Sequence, residues 1–297
     1  MSGRHQAPEH GPEPIVRVEG LVKTYPGRGL GGRPSTAVRG VDFALAPGGA
    51  LGIVGESGSG KTTVAKMLIG LERPTAGRIT IGGVDHTRPP RRTRDRRARG
   101  RRIQIVFQDP YTSLDPRQRI GDCLTEVLGV HFGTDRGRRA ERVRELADLV
   151  GLDDRQLRAL PRALSGGQRQ RVAIARALAA EPEVLVLDEA VSALDVSIQA
   201  QILNLLADIR ARTGVSYLFI SHDLAVIRQV TDDTIVLRHG RVVERGATST
   251  VLDHPADPYT RLLRDSVPHP GWSPEHRDPS YAAGGPHPAA ASPRRDR

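Results

Sequence analysis

Alternation of polar and apolar residues begins at Ile15-Val16-Arg17-Val18 and ends near Tyr25, which predicts a first strand. A Gly-rich stretch from Pro26 to Pro34 reads as a loop. Two more strands fit Val41 to Leu45 and Ala50 to Val54, split by the turn Pro47-Gly48-Gly49. Helical spacing runs from Lys61 to Gly70, where the glycine is a stop signal. Short strands are predicted at Arg78 to Ile81, closed by Gly82-Gly83, and at Ile103 to Phe107. From Thr112 to Leu164 the spacing is mostly helical, most clearly over Arg138 to Val150, which predicts an inserted helical subdomain. Then come a helix at Gln168 to Ala180, a buried strand at Val184 to Leu187, a helix at Ser197 to Arg212 and a buried strand at Ser216 to Ile220. Thr234 to Leu237 and Arg241 to Glu244 fit a hairpin-edge pair around His239-Gly240. Strands alternating with helices predict a mostly parallel sheet covered on both faces. The chain shows no internal repeat.

Composition narrows this picture. At 297 residues the chain can form one large domain or two modest ones. Hydrophobic and charged fractions of 38% and 26% are those of a soluble globular protein, while 3% aromatics leave the core to Leu, Val, Ile and Ala. The single cysteine, Cys123, allows no internal disulfide and no cysteine metal cluster, and fits a reducing compartment. No stretch approaches the roughly 18 consecutive apolar residues of a membrane helix. The polar segment before Pro14 lacks the apolar core of a secretion signal, so a cytoplasmic chain with only peripheral membrane contact is expected. Residues 1–14 read as a disordered arm, and the Pro-, Ala- and Arg-rich residues 268–297 as a disordered basic tail. The net charge of +10 does not by itself choose among nucleic acid, anionic lipid and neither. The arginine-dense segment Arg88 to Arg102 lacks interleaved aromatics for stacking bases. It reads as a solvated helix, and no nucleic-acid partner is expected.

Chemistry enters at Gly55-Glu56-Ser57-Gly58-Ser59-Gly60-Lys61-Thr62, a phosphate-binding loop between an apolar strand and a helix. Glycines let the backbone wrap phosphate oxygens, and successive N–H groups with the helix N-terminus favour the negative charge. Lys61 would reach the β- and γ-phosphates, and Thr62 would ligate Mg²⁺; with Thr63, the nucleotide-binding set runs from Gly55 to residue 63. The apolar run Val184 to Leu187 ends in Asp188-Glu189. Asp188, at the carboxyl end of a buried strand, can hold Mg²⁺ from the far side, and Glu189 can polarise an attacking water as general base. Leu164-Ser165-Gly166-Gly167-Gln168 opens a second helix with an anion-ready N-terminus. One nucleotide does not need two phosphate cradles on one chain.

That pentapeptide, continuing as Arg169-Gln170-Arg171-Val172-Ala173, resembles the signature of ABC-type transporter ATPases. The resemblance spans about Ile15 to Val267 and implies the P-loop fold of that family. Its parts are a mostly parallel central sheet, an antiparallel β subdomain and an inserted helical subdomain at about 112–164. It also implies that Ser165, Gly166, Gly167 and Gln168 of one subunit close over ATP held by its partner. Gln108 matches the Q-loop glutamine, which the resemblance assigns to Mg²⁺, water and permease coupling. Ser192-Ala193-Leu194-Asp195 matches the D-loop at the dimer seam, and His222 the switch histidine at the γ-phosphate. Tyr25 stands where the family places an aromatic against adenine. The expected catalytic set is therefore Glu189, His222, Gln108 and Lys61, with Thr62, Gln108 and Asp188 around Mg²⁺.

Three segments narrow the branch: Phe107 to Arg117, Val191 to Leu203, and His254-Pro255-Ala256-Asp257-Pro258-Tyr259-Thr260-Arg261. They resemble the ATPases of oligopeptide, dipeptide and nickel importers, and more the second of the two paired ATPases than the first. The implied partners are two permease subunits, a second ATPase of identical or different sequence, and, indirectly, an extracytoplasmic binding protein. Nickel importers, exporters and non-transport ABC ATPases are the alternatives. Two departures stand out. No cysteine follows Cys123 to hold the iron–sulfur cluster found in many relatives, and Ala190-Val191 replaces the common Pro-Thr.

Overall fold

The computed structural model of the chain describes residues 13–27, 33–109, 114–133 and 135–266. Most of the expected arm, the tail, and Pro110 to Ser113 of the extended Q-loop lie outside them.

The described strands build two sheets. In the smaller one, β1 (Val16–Tyr25) pairs antiparallel with β2 (Ser35–Leu45) and with β4 (Ala76–Ile81), and a two-residue β5 (Val84–Asp85) extends the edge. The larger sheet contains β3 (Ala50–Val54), β6 (Ile103–Val106), β7 (Val184–Asp188), β8 (Ser216–Ile220), β9 (Asp233–Arg238) and β10 (Arg241–Ala247). Its order is β10-β9-β3-β8-β7-β6, and every pairing is parallel except β9 with β10.

Every residue of β3, β7 and β8 is buried, the mark of strands covered on both faces. Side chains on a strand point alternately to opposite faces, so these runs feed two separate cores. Leu185, Leu187, Tyr217 and Phe219 pack with the helices α3 (Ile120–Phe132), α4 (Arg136–Val150), α6 (Gly166–Leu178) and α7 (Val196–Thr213). Val184, Val186, Leu218 and Ile220 pack with α1 (Lys61–Ile69) and the inner face of the antiparallel sheet. The large sheet is thus sandwiched between a helical layer and a second sheet.

Several elements differ from the sequence expectation: β2 starts at Ser35 and not at Val41, and helices also form at Thr248–Asp253 and Pro258–Asp265, where no element is predicted. β9 is no edge strand: it pairs parallel with β3, and β10 alone forms that edge. A seven-residue helix, α8 (Leu224–Val230), occupies a segment with no predicted element, started by Asp223, whose carboxylate accepts from the Ala225 and Val226 N–H groups. The strand expected through Phe107 ends at Val106. Beyond these, α5 (Asp154–Arg158), α9 (Thr248–Asp253) and α10 (Pro258–Asp265) complete the helices used below.

The arginine segment forms α2 (Thr93–Gly100), and Arg91, Arg92, Arg94, Arg96 and Arg97 are exposed, as a solvated helix requires. Arg99 is the exception. It is buried, and its guanidinium donates to the Leu68 carbonyl at 2.8 Å and to the Met67 carbonyl at 3.4 Å. Those carbonyls lie in the last turn of α1, where the Met67 carbonyl also accepts from the Gly70 N–H at 3.1 Å. Burial holds the Arg99 guanidinium down to about 10, with Asp85 only partly offsetting it. Replacing Arg99 with Ala should destabilise the fold by about 2 kcal/mol, the scale of hydrogen bonds to a charged group. Replacing exposed Arg94 should change stability by less than about 0.5 kcal/mol. Urea unfolding of the two variants measures both; equal effects would contradict the anchoring assigned to Arg99.

Candidate functional site

The site lies along the carboxyl ends of β3, β8 and β7, where three chain segments leave the sheet side by side. Residues 55–60 turn from β3 into α1. Gly55 (φ 150°) and Gly60 (φ 108°) adopt backbone conformations that L side chains rarely enter. A Cβ on Gly60 would also stand 2.6 Å from the Ala37 carbonyl, and one on Gly55 would strike the Leu237 carbonyl. The loop is tied to its neighbours by Gly240 N–H, which donates to the Ser59 carbonyl at 2.9 Å. It is also tied by Glu56 N–H, which donates to the Tyr259 hydroxyl at 3.0 Å.

Lys61 is only 7% exposed, and its ammonium turns back to the Gly55 and Glu56 carbonyls at 2.6 and 2.9 Å. Burial pulls its pKa below the ordinary lysine value, against the opposing pull of Glu189, Asp188 and Glu56. The Thr62 hydroxyl donates to Asp188 Oδ1 at 3.4 Å, bringing the end of β7 to the first turn of α1.

Asp188 is 5% exposed, and burial with the neighbouring Glu189 carboxylate raises its pKa despite the Thr62 hydroxyl and Lys61. Glu189 follows in the left-handed region at φ 54°, with its N–H donating to the Ile220 carbonyl at 2.9 Å. That turn aims its carboxylate at His222, just past β8. His222 Nδ1 lies 3.0 Å from Oε1 and 2.8 Å from Oε2, and only Oε1 has hydrogen-bond geometry. A carboxylate only accepts, so Nδ1 carries the proton and Nε2 is the free edge of the ring. Gln108 Nε2 donates to the Ser192 hydroxyl at 3.2 Å, and that hydroxyl donates to the Glu189 carbonyl at 2.9 Å. The structure therefore brings Lys61, Thr62, Gln108, Asp188, Glu189 and His222 into one cluster.

Two predicted groups stand apart from it. Ser165 and Gln168 form a reciprocal capping box at the start of α6: Gln168 N–H donates to the Ser165 hydroxyl at 3.3 Å, and Ser165 N–H donates to the Gln168 amide oxygen at 2.9 Å. These residues bond to one another and not to the phosphate loop. Tyr25 ends β1, with the Lys23 ammonium 4.8 Å from its ring centre. Tyr259 and Ser192 join the site without having been singled out for it. Tyr259 meets Glu56 across 203 residues, a distance no local pattern reveals.

The donor set suits a nucleotide and its magnesium ion. Gly55 and Gly60 let the loop backbone run tight against the Leu237 and Ala37 carbonyls, and the buried Ser59 hydroxyl has no hydrogen-bond partner among the described residues. Thr62 and Asp188 offer the hard oxygens that Mg²⁺ prefers. A cleft of about 790 Å³ opens from Thr62, Asp188 and Glu189 past Gln108 to Val127 and His131 of α3.

Comparison with known proteins places these features. The family described as ABC transporter matches residues 38–192. A peptide import ATP-binding protein of Brucella abortus (strain 2308) is 47% identical over 266 residues, covering 88% of this chain and 78% of that protein. The di/tripeptide transport ATP-binding protein DppF of Pseudomonas aeruginosa (strain UCBPP-PA14) is 44% identical, over 87% of this chain and 81% of that one. Among solved structures, the ATP-binding cassette MJ0796, a dimer in a post-hydrolysis state with ADP and Pi, superposes with a TM-score of 0.70. It shares 28% identity and covers 79% of this chain and 99% of its own. CbiO1 of Clostridium perfringens, part of the ABC transporter complex cbiONQ, also gives 0.70, at 27% identity over 81% and 91% of the two chains.

The raised Asp188 pKa has a consequence for stability. The folded protein holds that proton more tightly than the unfolded chain, so ionisation subtracts stability. The cost begins as pH rises past the ordinary value of 3.8 and is present in full above the raised folded value. Asp188→Asn, which carries no charge, should therefore melt higher than the parent near neutral pH without nucleotide, and the difference should shrink as pH falls toward 4. Thermal melts across that range decide it; a variant that melts lower at neutral pH contradicts the assignment.

Proposed function

The chain belongs to the ABC transporter family, and on that footing we propose that it is the ATP-hydrolysing subunit of a peptide importer, working as a dimer beneath a separate permease. The observation that carries the reading is the split site. Lys61, Thr62, Asp188, Glu189 and His222 converge on one rim of the sheet, while Ser165 to Gln168 begin a different helix. A helix start leaves first-turn N–H groups without intrahelical partners. In α6 the Gln168 N–H is capped by Ser165, and the N–H groups of Gly166 and Gly167 suit the phosphates held by a second subunit.

In this reading residues 55–63 cradle the phosphates, and Lys61 leaves the Gly55 and Glu56 carbonyls for the β- and γ-oxygens. Thr62, Asp188 and Gln108 would hold Mg²⁺, which would neutralise charge on the phosphates. Glu189 accepts the proton of the attacking water, and the Nδ1–H of His222 keeps that carboxylate aimed. The serine and glycines of the partner's signature stabilise charge on the equatorial oxygens. Ser192 ties Gln108 to the backbone of Glu189, so the state of the reacting centre reaches residue 108. The cleft beyond Gln108 runs to α3, the route by which the helices would move a permease. Tyr25 is assigned to the adenine, residues 15–267 to the ATPase domain and 112–164 to its helical subdomain.

Relatives named for peptide import and di/tripeptide transport support peptides as cargo. The partners are two permease subunits, a second ATPase and, indirectly, a binding protein outside the membrane. No described helix is long and apolar enough to cross a membrane, which fits peripheral attachment at the cytoplasmic face.

Glu189→Gln should lower ATP turnover by about 10²–10⁴-fold, the usual worth of a general base, and leave an ATP-bound dimer that gel filtration resolves. Wild-type turnover in that variant would remove Glu189 from the role. A mild-detergent pull-down from native membranes, read by mass spectrometry, should recover two permeases, a sister ATPase and a peptide-binding protein. Recovery of ribosomes or DNA-repair proteins instead would overturn the transport reading.

A further inference from the structure

Residue 259 lies in α10, at the far end of the described chain, yet its hydroxyl meets the second residue of the phosphate loop. We propose that Tyr259 is a positioning residue for nucleotide binding: its hydroxyl fixes the Gly55–Glu56 peptide and so sets the course of the loop backbone, residues 55–60, around the phosphates. The inference rests on the reading of residues 55–63 as the ATP cradle.

The argument starts from a single peptide plane. Glu56 N–H donates to Tyr259 at 3.0 Å, and the carbonyl of that same peptide, Gly55 C=O, accepts the Lys61 ammonium at 2.6 Å. A peptide unit is planar and rigid, with its N–H and C=O on opposite sides. Holding one end therefore orients the other. The loop has little stiffness of its own, since Gly55, Gly58 and Gly60 occupy backbone regions that only glycine enters freely. Orientation has to be imposed from outside, and Tyr259 imposes it.

The tyrosine is itself held from several sides. It is 2% exposed, and the Arg238 guanidinium lies 4.6 Å from its ring centre. The start of α10 is capped by Asp257, which accepts from the Tyr259 N–H at 2.8 Å. Glu244 of β10 accepts from Ala256 and Asp257 N–H at 2.7 and 3.1 Å. Strand β10 pairs with β9, whose Leu237 carbonyl closes over Gly55. Loop, hairpin and C-terminal helix thus form one closed circuit of contacts, with the phenol as its last link.

The test separates the hydroxyl from the ring. Tyr259→Phe keeps the ring and its place beside Arg238 and removes the acceptor of Glu56 N–H. Arg264→Ala, on the same helix as Tyr259, serves as comparison: it removes a bond to the Asp253 carbonyl of α9 at 3.3 Å and the ion pair with Asp265, at a distance from the loop. Three quantities are measured on the full chain: the Kd of a fluorescent N-methylanthraniloyl-ATP, steady-state ATPase KM and kcat, and nucleotide-free Tm. For Tyr259→Phe, Kd and KM should rise about three- to tenfold, the worth of one hydrogen bond, with kcat within about twofold. The KM-weighted loss follows because the loop backbone contacts the phosphates both before and during reaction. Arg264→Ala should keep the parental Kd at a similar or larger loss of Tm. Parental Kd in Tyr259→Phe would overturn the proposal, as would an equal rise in both variants, which would make the effect one of general stability. If the parent chain itself failed to bind the probe, the ATPase reading would fall, not the brace alone.

Discussion

Parallel, in-register pairing of β3, β8 and β7 is the constraint from which the site follows. Ile53 faces Ile220, and Asp188 faces the same Ile220 from the other side. The ladder continues one residue past the strands: Ser221 N–H donates to the Ile53 carbonyl at 3.2 Å, and Glu189 N–H to that of Ile220 at 2.9 Å. With three ends level, the phosphate loop, the acidic pair and His222 must emerge on one rim. Every residue of these strands is buried, and their one charged member, Asp188, is the last residue of β7, so charge gathers at that rim. Ligand sites at the carboxyl ends of parallel strands are a property of such sheets in general.

The charges gathered there oppose folding in part. Burial disfavours the ammonium of Lys61 and the carboxylate of Asp188 together, and Glu189 aids the first while opposing the second. Glu189 adds a left-handed backbone to the account, a conformation that costs a non-glycine residue roughly 1 kcal/mol or more. Such local costs are common where a group must be held ready for chemistry, and the two cores on either side of the sheet carry them.

Much of this could be read along the chain. The apolar runs 51–54, 184–187 and 216–220 gave the buried strands, and the motif at their ends gave the rim, because both signals are local. Misreadings arose where a distant partner decides. Leu224 to Val230 is too short and apolar for its period to tell helix from strand, and only the Asp223 cap marks it. Arg99 looks like its neighbours until α1 brings the Met67 and Leu68 carbonyls beneath it. β9 was placed at an edge because the hairpin with β10 is visible in sequence, whereas its parallel pairing with β3 spans most of the chain. Tyr259 belongs to the same class: the segment containing it stood out by resemblance, but its contact with Glu56 did not.

The strand order also sets a timetable for the protein's birth. β3 is made first among the strands of the larger sheet, yet its two neighbours there, β8 and β9, follow β6 and β7. About 160 residues separate β3 from β8, so at the usual 5–20 residues per second the wait is on the order of ten seconds. Throughout that interval an entirely apolar strand, Ala50 to Val54, has both of its hydrogen-bonding edges without their final partners. Parallel pairing over such separations is slow and exposed to aggregation. That strand stays open to wrong partners until residue 238 has left the ribosome, and the phosphate loop gains its contact with Tyr259 later still.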